Sequence, residues 1–173
     1  PAGERRVSQD EKTLLLLKPR GFCAGVVRAM DIMRIALEAF GPPVYVRKEI
    51  VHNRFVVEEL QGKGAIFVDE ITEVPAGERV IYSAHGVSPE VREASETRKL
   101  RVIDATCPLV TKVHVEAVKF AKEGYSLSLI GHHDNDTVIG TLGEAPAVTQ
   151  VVGPPEQAVP GQWHGPDGVA LLT

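Results

Sequence analysis

Cysteine is scarce in this chain of 173 residues: there are two, Cys23 and Cys107. So few thiols exclude a disulfide-stapled secreted scaffold and leave three roles open, as inert core groups, metal ligands or a nucleophile. Positive charge is also short. With 19 Lys and Arg against 23 Asp and Glu, the formal net charge is -4. No basic surplus exists to neutralise a nucleic-acid backbone, and nucleic acid is not expected as a partner. Long apolar runs are missing near the start as well. The run "LLLL" at 14–17 falls far below the ~20 residues that span a bilayer, and nothing before it reads as a signal peptide. No membrane partner is expected, and the sequence reads as cytoplasmic. What is present in ordinary measure is apolar content: 43% hydrophobic against 24% charged, enough for a packed globular protein.

Residues 1–12, "PAGERRVSQDEK", are polar without apolar period and read as a flexible tail. Beyond them the short runs "TLLLLK", "VYVR", "AIFV", "VIYS", "RVID" and "YSLSLI" alternate with mostly longer stretches, several of helical spacing. Val26, Met30, Met33, Ala36 and Leu37 share one helical face. Val56, Val57 and Leu60 mark a second helix, and Val113, Ala117, Phe120 and Ala121 mark a later one. Strand followed by helix, repeated, predicts an α/β fold of consecutive parallel-sheet units covered by helices. A break near 95–100 divides the chain into a first unit, 13–98, and a second, 99–173. The last stretch is rich in proline and glycine and ends on "GVALLT", an apolar strand with nothing after it to cover it, as expected of a cut chain.

In open parallel sheets ligand sites collect beyond the carboxyl ends of the strands. "TLLLLK" leads to Cys23, "VYVRKEI" to His52, "VIYSA" to His85, "RVIDAT" to Cys107, and "YSLSLI" to His132 and His133. Pro108 suits the first turn of a helix, which puts Cys107 at the N-cap, and Cys23 has the matching place one unit earlier. A helix N-terminus favours a thiolate, a cluster sulfur or a phosphate. One cysteine alone is most often a packing residue, and one histidine alone a satisfied hydrogen-bonder. Five strand ends that all carry Cys or His point instead to a site. A zinc site lacks any C-x-x-C or H-x-x-x-H pairing, and a cysteine–histidine hydrolase lacks a local signature. Cysteines on separate loops, each at a helix start, suit an iron–sulfur cluster better.

The segments "PRGFCAGVVRAM", "EIVHNRFVVEEL", "SAHGVS" and "DATCPLVTKVH", in this order within 14–152, resemble the LytB family. Its members are 4-hydroxy-3-methylbut-2-enyl diphosphate reductases, oxidoreductases that end the non-mevalonate isoprenoid pathway. The resemblance implies a trefoil of three α/β units around a [4Fe-4S] cluster, two units lying in this chain and the third absent. It implies that Cys23 and Cys107 are two of three cluster ligands, and that His52 and His85 grip the diphosphate of a small allylic substrate. It further implies a ferredoxin- or flavodoxin-type electron donor and reductive dehydroxylation to isopentenyl and dimethylallyl diphosphate. The third cysteine is expected beyond residue 173. On that expectation the chain is about two thirds of the family's length, a fragment or half of a split protein.

One stretch departs from the family. "GHHDNDTVIG" occupies 131–140, where the family reads G-H-x-x-H-x-E-V-x-G-T. Asn135 stands in the place of a substrate-contacting His, and Thr137 in the place of the proton-donating Glu. Neither side chain is an acid near neutral pH. His133 and Asp136 lie one or two positions off. The expectation is a reductase with impaired proton delivery, or alternatively a catalytically inactive paralogue or altered variant that still binds diphosphate or cluster.

Overall fold

The computed structural model describes residues 15–18, 20–154 and 168–173. The expected tail, 1–12, and most of the proline- and glycine-rich stretch lie outside them. Helix α1 (Ala24–Phe40) buries Ala29, Met30, Met33, Ala36 and Leu37 along the predicted face. It leads into β1 (Val44–Arg47), α2 (Arg54–Gly62), β2 (Ala65–Val68) and β3 (Arg79–Tyr82). Helix α3 (Pro89–Thr97) and β4 (Arg101–Asp104) follow. These strands form one parallel sheet in the order β2-β1-β3-β4. Helix α4 (Pro108–Lys122), β5 (Ser126–Ile130), α5 (Asp136–Glu144), β6 (Thr149–Val152) and β7 (Val169–Leu172) complete the chain. The last three strands form a second parallel sheet, ordered β6-β5-β7.

Parallel strands covered on both faces read as continuous apolar runs rather than alternating ones, and β3 in the middle of the first sheet is built that way. Val44, Val46 and Ile81 pack with α1 and α2 in one core. Val80 and Tyr82 pack with Val91, Ala94 and Val74 in another on the opposite face. Each fully buried Val or Ile contributes ~1.5–3 kcal/mol. A buried hydrogen-bond relay ties β3 to α3: the Tyr82 hydroxyl donates to Ser95 Oγ at 2.7 Å, and that hydroxyl donates to the Val91 carbonyl at 2.7 Å. The second sheet has its own core, Leu127, Leu129, Val151 and Leu172 against Ala117 of α4 and Val138 of α5.

Three features differ from the sequence reading. Leu15, Leu16 and Leu17 form no strand and are 64–80% exposed. A strand needs a neighbour for its backbone N–H and C=O groups, and among the described residues none runs beside them. Strand β4, assigned from sequence to the second unit, pairs instead with β3 in register Arg79↔Arg101 through Tyr82↔Asp104. A four-residue strand after a helix can join the sheet before or after it, and local pattern does not decide which. Strand β6, "TQVV", was too polar at its start to stand out, yet it pairs with β5 throughout. Among the described residues no helix is long and apolar enough to cross a membrane.

Candidate functional site

The sheet pairing continues past the strands and draws the loops together. Beyond β1 and β3 the Ala84 N–H donates to the Ile50 carbonyl at 3.2 Å, and the Cys107 N–H donates to the Ala84 carbonyl at 3.0 Å. The His52 loop, the His85 loop and the start of α4 are thus chained by backbone hydrogen bonds at the carboxyl ends of adjacent strands.

Both cysteines are N-caps, Cys23 of α1 and Cys107 of α4, and Pro108 occupies the first turn after Cys107. Their carbonyls accept the first bonds of the two helices, from Val27 and Thr111, each at 3.0 Å. The two helix starts are linked, since Arg28 Nη1 donates to the Thr106 carbonyl at 2.9 Å. Gly25 shows where the sulfurs point. A Cβ on Gly25 would lie 2.5 Å from Cys107 Sγ and 3.9 Å from Cys23 Sγ. Both thiols therefore converge on one spot that only glycine leaves open, and their separation cannot exceed the sum of those distances. Neither is disulfide-bonded. Sequence inspection passed over Gly25, although a glycine two positions after a capping cysteine is a usable signal.

The imidazoles of His52 and His85 stack, with centroids 4.2 Å apart and planes 26° from parallel. They line a cavity of about 240 Å³ that Phe22, Val26 and Asn53 also border, so the pair lies on the Cys23 side of α1. Asn53 caps α2 by accepting the Val56 N–H at 3.2 Å, which fixes the loop that presents His52. His52 is exposed, with Nδ1 3.5 Å from Glu49 Oε2. His85 is half-buried and its Nε2 has no hydrogen-bond partner. Burial first, and then the neighbouring His52, hold His85 below its ordinary pKa of 6.5, while Asp136 and Glu49 pull the other way. Two stacked imidazoles, one with an unpartnered buried nitrogen, leave a hydrogen-bonding group for a ligand to satisfy.

The third element is the corner after β5. Asn135 is the N-cap of α5, and its side-chain oxygen accepts the Thr137 N–H at 2.9 Å. Its oxygen is committed to the helix. Thr137 borders a cavity of about 200 Å³ shared with Leu109 and Val110, which follow Pro108 in the first turn of α4. Thr141 Oγ1 donates to the Thr137 carbonyl at 2.9 Å. Of the neighbours considered from sequence, His132 and His133 are exposed, and Asp136 acts on His85 through its charge. Among the described residues no group of three or more His, Cys, Asp or Glu side chains is placed to hold a metal ion.

The family described as LytB protein matches residues 14–172. The 4-hydroxy-3-methylbut-2-enyl diphosphate reductase of Acidothermus cellulolyticus is 55% identical over 94% of this chain and 48% of its own length. That of Rhodopirellula baltica is 59% identical over 80% of this chain and 44% of its own. The solved structure of the E-1-hydroxy-2-methyl-but-2-enyl-4-diphosphate reductase from Plasmodium falciparum superposes with a TM-score of 0.76 at 50% identity. It matches 78% of this chain and 42% of that one. The chain thus spans about half the length of the curated relatives it matches, less than the two thirds expected from its motifs. With the match running across nearly all of the described fold, the chain belongs to the LytB family.

Proposed function

We propose that the chain forms the cluster-side and diphosphate-side parts of a 4-hydroxy-3-methylbut-2-enyl diphosphate reductase whose proton delivery is impaired. The observation that carries this reading is the pair of thiols converging on Gly25, beside the stacked His52 and His85. Thiolates at helix N-termini fit a [4Fe-4S] cluster as two of its ligands. Because the chain has only two cysteines, any third thiolate comes from outside these 173 residues. When bound, the cluster supplies Lewis acidity and relays two electrons, delivered by a ferredoxin- or flavodoxin-type donor. The net change takes up two electrons and two protons, breaks the allylic C–O bond and releases water, leaving isopentenyl or dimethylallyl diphosphate.

The chain's own residues hold the substrate and withhold a proton. His52 and His85 bind diphosphate oxygens, the free Nε2 of His85 gaining the partner it lacks. Thr137 offers only a hydroxyl, and Asn135 spends its oxygen on the α5 cap, so neither replaces a carboxylic acid. That same corner favours a second reading, a diphosphate- and cluster-binding paralogue without turnover.

Steady-state reduction with a strong artificial donor, in a chain extended to the length of its relatives, separates the readings. General acid catalysis contributes ~10²–10⁴-fold. The expected outcome is substrate binding with slow turnover, raised by Asn135→His and Thr137→Glu together. Turnover at ordinary enzyme rates without those changes overturns the impairment, no gain with them favours the inactive paralogue, and absence of substrate binding overturns both.

A further inference from the structure

His114 lies on the buried side of α4, about two helical turns beyond Cys107, and is 7% exposed. Its Nδ1 is 3.3 Å from Glu144 Oε1, and the same oxygen accepts from Arg92 Nη2. One carboxylate therefore joins α4, α5 and α3. The Cε1–Nε2 edge of the ring meets two glycines. A Cβ on Gly86 would lie 3.0 Å from Cε1, and a Cβ on Gly140 would lie 3.2 Å from Cε1 and 3.3 Å from Nε2. Contacts that short are tighter than nine in ten real Cβ contacts, so a side chain at either glycine would press the ring aside by a few tenths of an ångström. Gly86 follows His85 directly, and Gly140 sits one turn after Thr137. Nε2 is buried without a hydrogen-bond partner, which makes it the bare acceptor and puts the ring proton on Nδ1, facing Glu144.

We propose that His114 is a positioning residue, its ring acting as the spacer that sets how the His85 turn, the helix carrying Cys107 and the Asn135–Thr137 corner stand relative to one another. The proposal rests on the reading of those residues as one site. The charged groups that face His114 from the neighbouring elements are Glu144, Arg92 and Asp104. Burial holds its pKa below the ordinary value against the pull of Glu144, in keeping with a neutral ring whose Nε2 has no acceptor to donate to. A spacer predicts reciprocity that an ordinary core residue does not. Crowding the ring from Gly140 should misplace the site, and shrinking the ring should relieve the crowding.

The test uses the 173-residue chain with two probes and a melting curve. Calorimetry with inorganic pyrophosphate reads the histidine pair, and a trivalent arsenical that bridges two thiols reads how closely Cys23 and Cys107 stand. Gly140→Ala is expected to weaken both affinities about tenfold, a coupling of the size seen between neighbouring residues. Gly140→Ala combined with His114→Asn removes the ring edge yet keeps an N–H toward Glu144, and is expected to recover both affinities. Unchanged affinities in Gly140→Ala, or a double variant no better than the single, overturn the proposal. If Gly140→Ala does not fold, the double variant decides: wild-type affinity in a folded double variant supports the spacer, and an unfolded one overturns it. Wild type that binds arsenical but no pyrophosphate strikes the reading of the histidine pair alone, and the arsenical series then decides. Wild type that binds neither has no site to position, and the proposal falls.

Discussion

Asn135 and Thr137 are bonded to each other, the side-chain oxygen of the first accepting the backbone N–H of the second at 2.9 Å. The bond uses the Thr137 backbone, so the two positions can be exchanged with opposite consequences. Asn135→Ala removes the cap of α5 and should cost ~1 kcal/mol, lowering Tm by about 2–4 °C in a chain of this size. Thr137→Glu leaves the cap intact and adds a carboxylate in the first helical turn, where it is favoured. Its Tm should equal or exceed that of the unmodified chain in thermal melts followed by circular dichroism. A lower Tm for Thr137→Glu would mean that the cavity beside Leu109 and Val110 depends on the threonine methyl.

Gly25→Ala places a carbon 2.5 Å from Cys107 Sγ, closer than real Cβ contacts come. Alanine is otherwise the better helix residue by ~1 kcal/mol, so the fold should persist while the sulfur is displaced. After anaerobic loading with iron and sulfide, the variant should lose most of the visible absorption, as should Cys23→Ala and Cys107→Ala. Wild-type absorption in Gly25→Ala would show that the sulfurs need not converge there.

Charge-assisted hydrogen bonds contribute ~1.5–3 kcal/mol each. His85→Ala should therefore weaken pyrophosphate binding about tenfold or more, with the larger loss expected at His85 because its nitrogen is the buried one. His52→Ala should weaken it as well and also remove the stacking partner. Equal affinities for wild type and His85→Ala in calorimetry would remove the pair from the diphosphate site.

Burial depresses the pKa of both His114 and His85 from 6.5. As pH falls, the unfolded chain takes up these protons before the folded one does. Their contribution is therefore complete above about pH 6.5 and is lost below it, with a limiting slope of ~1.4 kcal/mol per pH unit per group. Urea midpoints should be level from pH 8 to 7 and fall between 6.5 and 5.5. His114→Phe should make the fall shallower, leaving the share due to His85. A midpoint that stays level down to pH 5.5 contradicts both depressed values.

Much of this was legible in the sequence because periodicity and caps are local. The buried faces of α1, α2 and α4 follow from apolar spacing, and the N-cap place of Cys107 follows from Pro108; Cys23 is an N-cap as expected, though the strand expected before it is not formed. The strand boundaries of β1, β2 and β4 coincide with their apolar runs. What was not legible depends on partners distant in sequence. Leu15–Leu17 have strand-like composition but no neighbour to pair with among the described residues, and β4 joins the sheet that precedes it. His114 sat on a helical stripe that reads as plain core, because the glycines that seat it come from two other elements. His52 stacks on His85 beside the Ala84–Ile50 backbone bond, a pairing of loops that no motif announces.

The two sheets share no strand and bury separate apolar clusters. What joins them is a seam of helices, held by the Glu144 carboxylate and by Gly143 pressed against Ser88, where an added Cβ would come within 2.7 Å. Separate cores of this kind predict two cooperative blocks that open independently of each other. In native-state hydrogen exchange the amides of β1 to β4 should form one protection group and those of β5 to β7 another. Ligands that touch both blocks would then slow exchange in the less protected one first, so occupancy of this site can be followed from amides that never contact it.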